Sequence, residues 1–433
     1  MVGVRKICSL GAANRPSISS DAVGVHFSEW LMMDERALPS MRRATVLLVT
    51  TLFLATALAG CLDTFSSDAP PTVSMSVSPS GTVKVGDNVN FDATGSSDPD
   101  GDPLSFNWDF GDGDTASGMS ANHAYTSQGT FKAQLCVSST DFEICEERNV
   151  VVAPADAALP TASIIHYKDN DCTGEDPPAG TMILAWICEE EMDTSDDVVD
   201  TTTTIQLDGS DSSAGDSSSY LTDYEWDLDI NHDSDGDGDM ANDVDKTGEN
   251  AEWTNVWPGE YEIQLTVTDN QGFTDTMDMD VYVNYRGAWA EFTIDGNGTS
   301  GSGTESFEFP VTYNQDTGNT IRYVKIQFTY PKQDDDWQPG TCTPSTICAN
   351  KLDAYVYNGS DSDSDTEEVA NTTYLDDEQR TAGNCDDEDR CVELRLSTQH
   401  FRNYLDGSWR VDLTNEKNHD SLVKSFVIIL EYK

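Results

Sequence analysis

Oxygen ligands recur at every second position along Asp229-Ile230-Asn231-His232-Asp233-Ser234-Asp235-Gly236-Asp237-Gly238-Asp239, and Asp243 follows shortly after. Carboxylates crowded in this way repel one another unless a divalent ion sits among them. Calcium takes roughly six to eight hard oxygens at about 2.3–2.6 Å. The expected metal set is Asp229, Asn231, Asp233, Asp235, Asp237, Asp239 and Asp243, holding a structural calcium. The competing reading is a solvated acidic loop. Asp98-Pro99-Asp100-Gly101-Asp102 looks similar but reads as an acidic turn.

Counted from Asn231, the frame places Asn231, Asp233, Asp235 and Asp237 at positions 1, 3, 5 and 7 with Gly236 at 6, which resembles the calcium loops of EF-hand-like and thrombospondin-type repeats. The departure is at position 12, where Asn242 stands in place of the bidentate glutamate; Asp243 or Asp245 is the substitute, with weakened affinity.

Enzymatic constellations are missing. There is no G-x-S-x-G, no H-E-x-x-H and no P-loop, and beyond residue 61 the histidines are His123, His166, His232, His400 and His419. His123, just before Tyr125, reads as structural. Trp108 and Trp226 read as core, whereas Trp253, Trp257, Trp289 and Trp337 are candidates for stacking on a ligand. The chain is therefore expected not to be an enzyme.

Met41-Arg42-Arg43 followed by the apolar run Ala44 to Ala59 and by Leu58-Ala59-Gly60-Cys61 looks like a lipoprotein signal peptide and lipobox, in which the Cys61 thiol takes a diacylglycerol. An ordinary signal-peptidase site after Ala57-Leu58-Ala59, or an uncleaved anchor, would also fit. All three export everything after Cys61. Residues 1–40 have no periodicity and are read as an over-extended or disordered N-terminus, with 62–69 as a linker.

The chain of 433 residues carries a formal charge of −54; without residues 1–61 there remain 18 basic against 74 acidic side chains. Such a field repels phosphate backbones and anionic head groups, so no nucleic-acid partner is expected and the membrane is met through the lipid alone. Setting aside Cys8 and Cys61, eight cysteines fall into four local couples: Cys136 with Cys145, Cys172 with Cys188, Cys342 with Cys348, and Cys385 with Cys391. With no C-x-x-C and no histidine at ligand spacing, disulfides are favoured over zinc. Cross-pairing of 342/348 with 385/391 stays open. Short loops of this kind stabilise by ~2–3 kcal/mol each.

The elements that position these groups read as short alternating strands separated by Gly, Ser, Asp and Asn. In Asn107-Trp108-Asp109-Phe110-Gly111-Asp112-Gly113-Asp114, apolar and polar residues alternate into a tight glycine turn. After His123-Ala124-Tyr125, the run Gly129-Thr130-Phe131-Lys132-Ala133-Gln134-Leu135-Cys136-Val137 alternates again, as the strand that packs opposite Trp108. This pattern resembles the polycystic-kidney-disease (PKD) domain, an immunoglobulin-like β-sandwich, over residues 70–153. Residues 159–285 repeat the plan: Asp208-Gly209-Ser210 echoes Thr94-Gly95-Ser96, Glu225-Trp226-Asp227-Leu228-Asp229 echoes the Trp108 strand, and Gly259 to Val267 echoes the Gly129 strand. Tryptophan to glycine is 21 residues in the first copy and 33 in the second, so twelve residues are inserted after the second tryptophan strand, at the acidic loop. Another insertion, about Tyr167 to Val199, carries Cys172 and Cys188.

Residues 286–433 are again strand-like. Gly407-Ser408-Trp409-Arg410-Val411-Asp412-Leu413 and Ser425-Phe426-Val427-Ile428-Ile429-Leu430 are similar to the last strands of proprotein-convertase P-domains and related jelly rolls, although the glycine expected in the penultimate loop is absent. Sequons at Asn297, Asn358 and Asn371 all fall in this region.

The fold class expected is all-β: two tandem PKD/immunoglobulin-like sandwiches followed by a C-terminal jelly-roll-like β-sandwich. The resemblance implies a non-catalytic spacer and interaction role. The expected protein is a lipid-anchored cell-surface binding or adhesion protein with a calcium-stiffened stalk, whose partner is an extracellular protein or polysaccharide. The alternatives are an accessory or targeting subunit of a secreted peptidase or polysaccharide hydrolase, and a structural envelope component. Whether the modules are rigidly docked stays open.

Overall fold

The computed structural model describes residues 69–199, 201–231, 243–296, 303–312, 320–333, 349–359, 366–376, 378–380, 385–402 and 407–432. The signal segment with Cys61, and Asp233, Asp235, Asp237, Asp239, Asn297, Trp337, Cys342 and Cys348, lie outside them.

The alternating runs become strands buried on one face. In the first module these are β1 (Ser76–Ser78), β2 (Val83–Lys84), β3 (Val89–Asp92), β4 (Ser105–Asp109), β5 (Thr115–Ser117), β6 (Ser120–His123), β7 (Gly129–Ser138) and β8 (Glu143–Ala153). They form sheets β1-β3-β6 and β2-β8-β7-β4-β5. In β4 only Phe106 and Trp108 are buried, the period-2 pattern of a half-buried strand. Trp108 pairs with Leu135 inside one sheet, so β7 lies beside it and not across the sandwich as expected. The ring facing Trp108 from the other sheet is Phe91, at 5.7 Å.

The second module contains β9 (Ile183–Met192), β10 (Thr203–Asp208), β11 (Leu221–Asp227), β12 (Lys246–Thr247), β13 (Asn250–Val256), β14 (Gly259–Asp269) and β15 (Thr274–Trp289). Each tryptophan indole donates to a glycine carbonyl, Trp108 to Gly118 and Trp226 to Gly248, both at 2.9 Å and over sequence separations of 10 and 22. Both glycines have φ near +113°. The twelve extra residues therefore lie between Trp226 and Gly248, where the spacing predicts them. The expected correspondence of Asp208-Gly209-Ser210 with Thr94-Gly95-Ser96 is shifted by two. Asp92 Oδ1 accepts from Thr94 N and Asp208 Oδ1 accepts from Ser210 N, so Asp208 corresponds to Asp92.

The last region comprises β16 (Phe292–Ile294), β17 (Thr304–Val311), β18 (Tyr323–Pro331), β19 (Leu352–Tyr357), β20 (Glu368–Asn371), β21 (Asp389–Ser397), the single-turn helix α1 (Thr398–Phe401), β22 (Gly407–Asn415), β23 (Ser421–Val423) and β24 (Ser425–Glu431). Its sheets are β15-β24-β18-β21 and β17-β22-β19-β20, with β16 and β23 paired at the side. Numbering the eight main strands in chain order gives 1-8-3-6 over 2-7-4-5, which is jelly-roll topology. Trp289, Phe307, Phe309, Trp409 and Phe426 fill its core. Trp289 is 3% exposed, which corrects its reading as a ligand-stacking residue.

β15 crosses residue 285 without a break. Its first part, through Val283, pairs with β14, and Tyr285 to Trp289 pairs with β24. β9 runs parallel along Val281 to Trp289. At Val281 and Val283 both β14 and β9 are partners, so β14 and β24 follow one another along the same edge and β9 straps the other. The insertion holding Cys172–Cys188 thus ties the second module and the jelly roll into one sheet.

The first and second modules also touch. Thr82 N donates to Thr274 O at 2.9 Å and Thr274 N to Thr82 Oγ1 at 2.8 Å, while a Cβ on Gly81 would lie 2.8 Å from Thr274 O. This close approach requires glycine.

Candidate functional site

The end of β11 carries the acidic residues. In the first module the matching turn closes on itself: Asp109 Oδ1 accepts from Gly111 N at 2.9 Å, Phe110 N donates to Asp114 O, and Gly111 and Gly113 have φ of +77° and +101°. Asp112 and His123 pair at 2.7 Å, and the His123 ring stacks on Phe110 at 4.2 Å. Burial opposes ionisation of Asp112, but the His123 and Asp114 hydrogen bonds bring its carboxyl below the ordinary range. Asp112, Asp114 and His123 converge within 4.8 Å.

In the second module Asp229 takes the place of Gly111, and the chain leaves through the acidic insertion. Asp227, at the position of exposed Asp109, is 5% exposed. Its Oδ1 accepts from Asp229 N at 3.0 Å, while its Oδ2 is buried with no hydrogen-bond partner among the described residues. Asp245 Oδ2 accepts from Leu228 N at 2.8 Å, Asp229 Oδ1 accepts from Asn231 N at 3.2 Å, and Asp243 is 4% exposed. Burial, then the charges of Asp245, Asp243 and Asp229, push the Asp227 carboxyl up to about 7. Glu262 on β14 is raised as well, mainly by burial, with Asn231 as its hydrogen-bond partner.

These acids could contribute to holding a hard divalent cation: the charges of Asp245, Asp243 and Asp229 act on buried Asp227, one of whose carboxylate oxygens has no donor among the described residues. Of the expected set, Asp229, Asn231 and Asp243 lie here; Asp233, Asp235, Asp237 and Asp239 lie outside the described residues. Asp245, which with Asp243 is one of the two expected substitutes for the missing glutamate, is here too. Asp227 is absent from the expected ligands, although it directly follows a core tryptophan and opens the acidic series, which was the available signal.

Three expected disulfides are formed: Cys136–Cys145, Cys172–Cys188 and Cys385–Cys391. Asn358 and Asn371 are half-buried; Asn371 Oδ1 accepts from Thr373 Oγ1 at 2.6 Å, and Asn358 Oδ1 from Glu367 N at 2.7 Å. Trp253 packs edge-on against Tyr261 at 5.0 Å, and Trp257 is 43% exposed. Trp186, not singled out in the sequence, lines a cleft of about 280 Å³ between the Cys172 loop and the outer face of the jelly-roll sheet. No helix among the described residues is long and apolar enough to cross a membrane.

Residues 68–152 match the family model of the PKD domain, and residues 194–283 match a second PKD-domain family model. Over 72 residues the chain is 35% identical to a microbial collagenase of Vibrio alginolyticus, covering 17% of this chain and 9% of that protein. It is 37% identical over 59 residues to collagenase ColA of Clostridium perfringens, covering 14% and 5%. The PKD1 domain of Vibrio anguillarum Epp, a solved structure, is 25% identical, covers 20% of this chain and 95% of that one, and gives a TM-score of 0.17. The chain thus spans less than a tenth of the length of these collagenases.

Proposed function

We propose that this chain, which carries two PKD domains, is a lipid-anchored cell-surface binding protein in which the PKD modules form a calcium-stiffened stalk and the C-terminal jelly roll meets an extracellular protein or polysaccharide. The observation that carries the reading is β15, one strand that belongs to the second PKD module at its start and to the jelly roll at its end. A terminal module held by a continuous sheet keeps its orientation, which suits presentation at the end of a stalk. Cys61 supplies the anchor, and the acidic end of β11 binds calcium through Asp227, Asp229, Asp243 and the intervening carboxylates. The metal neutralises charge that otherwise opposes folding of the second module.

The fragment from Leu62 to Lys433, with its disulfides intact, is expected to melt higher in millimolar calcium than in chelator at matched ionic strength. Changing Asp233, Asp235 and Asp237 to Asn is expected to remove the difference; identical curves for the parent would end the calcium reading. Fatty-acid labelling that disappears in Cys61→Ser checks the anchor. Saturable capture of an extracellular polysaccharide or matrix protein checks the binding role.

A second reading, an accessory subunit of a secreted peptidase, draws on the collagenases whose PKD segments are similar. Co-purification with a peptidase, and loss of substrate targeting without this chain, would favour it.

A further inference from the structure

Resting on the reading that the jelly roll is the ligand-binding end, we propose that its outer sheet face binds a glycan bearing carboxylate or sulfate groups, held by Arg286, Lys325 and Arg395 beside Trp186. The register places Arg286 on β15, Ile429 on β24, Lys325 on β18 and Arg395 on β21 in a single cross-strand row. Neighbouring strands are about 4.8 Å apart, and residues in register project from the same face. Three cations therefore share one row in a chain of charge −54.

Two of them stand directly opposite each other. Lys325 and Arg395 are cross-strand partners, a juxtaposition of like charges that destabilises a sheet. Among the described residues neither has a carboxylate partner. Both lie instead over the Tyr323 ring, Arg395 at 4.0 Å and Lys325 at 4.8 Å from its centroid. The ring face attracts cations and orders these long side chains without neutralising them. An arriving anion meets oriented donors, supplies the missing counter-charge and relieves the repulsion between them.

The next row holds Trp186, the partner of Asn284 on the strapping strand β9. Trp186 is half-buried and lines the cleft with Arg286, Arg322 and Lys325. An indole lining a cleft beside hydrogen-bonding groups suits a pyranose ring. Of the nearby acids, Glu190 is paired with Arg286, Glu431 with Arg322 at 3.0 Å, and Asp171 accepts from the Thr173 and Glu175 amides, so among the described residues the charge of the row left without a carboxylate partner is that of Lys325 and Arg395. Glu175 and Asp176, both exposed, also line the cleft, and carboxylates can accept from sugar hydroxyls. The long-range field of the whole chain is screened beyond about 8 Å at ~0.15 M salt, so contact with the local cations decides binding.

The test uses the oxidised fragment from Leu62 to Lys433 against immobilised polygalacturonate, a sulfated galactan, uncharged galactan and collagen, at about 0.15 M salt. The expected result is saturable binding to an acidic glycan, little to uncharged galactan, and at least tenfold weaker binding by the Lys325→Gln/Arg395→Gln double variant. That variant is expected to melt no lower than the parent, because the like-charge contact is gone; Trp186→Ala is expected to weaken binding as well. Equal binding of acidic and uncharged galactan, or a double variant that binds as the parent does, overturns the inference. Binding to collagen or uncharged galactan alone overturns it while the binding role stands, and binding to none of the four overturns both.

Discussion

The two PKD modules share a scaffold and differ in one turn. In the first, Gly111 and Gly113 close the chain within a few residues, and Asp109 is left in solvent with its amide partner. In the second, twelve added residues carry acids past the same point, and the equivalent Asp227 becomes buried with an unpartnered oxygen. The tryptophan and its glycine acceptor are unchanged on either side. A sandwich core thus tolerates a large change of turn, but the turn decides whether a neighbouring carboxylate is satisfied by the chain itself or left for something else.

The largest effect comes from removing the shared anchor. Trp108→Ala and Trp226→Ala should each cost ~3–5 kcal/mol. Hydrogen exchange should rise only within 69–153 for the first, but in both the second module and the jelly roll for the second, because β15 is common to them. Confinement of the Trp226→Ala effect to the second module would undo the picture of one joined sheet.

Gly111→Ala comes next. It forces a side chain into φ +77° with its Cβ 2.5 Å from Lys132 O, and the expected loss is ~2–3 kcal/mol in urea denaturation of the first module. Asp229 already occupies that position in the second module, so Asp229→Ala should leave chelator-treated stability nearly unchanged.

Asp227→Asn sharpens the contrast further. In chelator it should stabilise the second module by ~1–2 kcal/mol, since a buried carboxylate with one oxygen lacking a donor among the described residues is replaced by a neutral amide. In calcium it should lower the melting temperature. The sign with pH follows from the carboxyl being raised to about 7 from an ordinary value near 3.8. Between those values the folded chain keeps a proton that the unfolded chain has released, so in chelator stability falls as pH rises through that window. Asp227→Asn should flatten this dependence. Glu431, also pushed up to about 7 by burial, adds a slope of the same sign that the substitution leaves in place. Asp109→Asn is the smallest change, within ~0.5 kcal/mol, because Asp109 is exposed.

Much of the fold is legible in the chain. Alternation around Trp108 gives a strand buried on one face, the echo at Trp226 gives a second strand in which Asp227 is buried as well, and counting from tryptophan to glycine locates the insertion that the indole hydrogen bonds then confirm. Three disulfide couples are legible because their partners are close in sequence. The offset at Asp208 was not legible, since two short Gly-Ser turns look alike until their Asx hydrogen bonds are seen. Trp289 was misread because its packing partners, Phe307 and Phe426, come from distant strands.

The sequence by itself determined the period-2 strands, the repeat of the PKD plan, the acidic excess and the near-neighbour disulfides, because each depends on residues adjacent or regularly spaced along the chain. Tertiary structure alone decided that β15 serves two modules, that β9 straps their junction, that Asp227 is buried, and that Arg286, Lys325 and Arg395 fall in one row. Strand partners and burial depend on register between segments far apart in sequence, and no local pattern specifies that register.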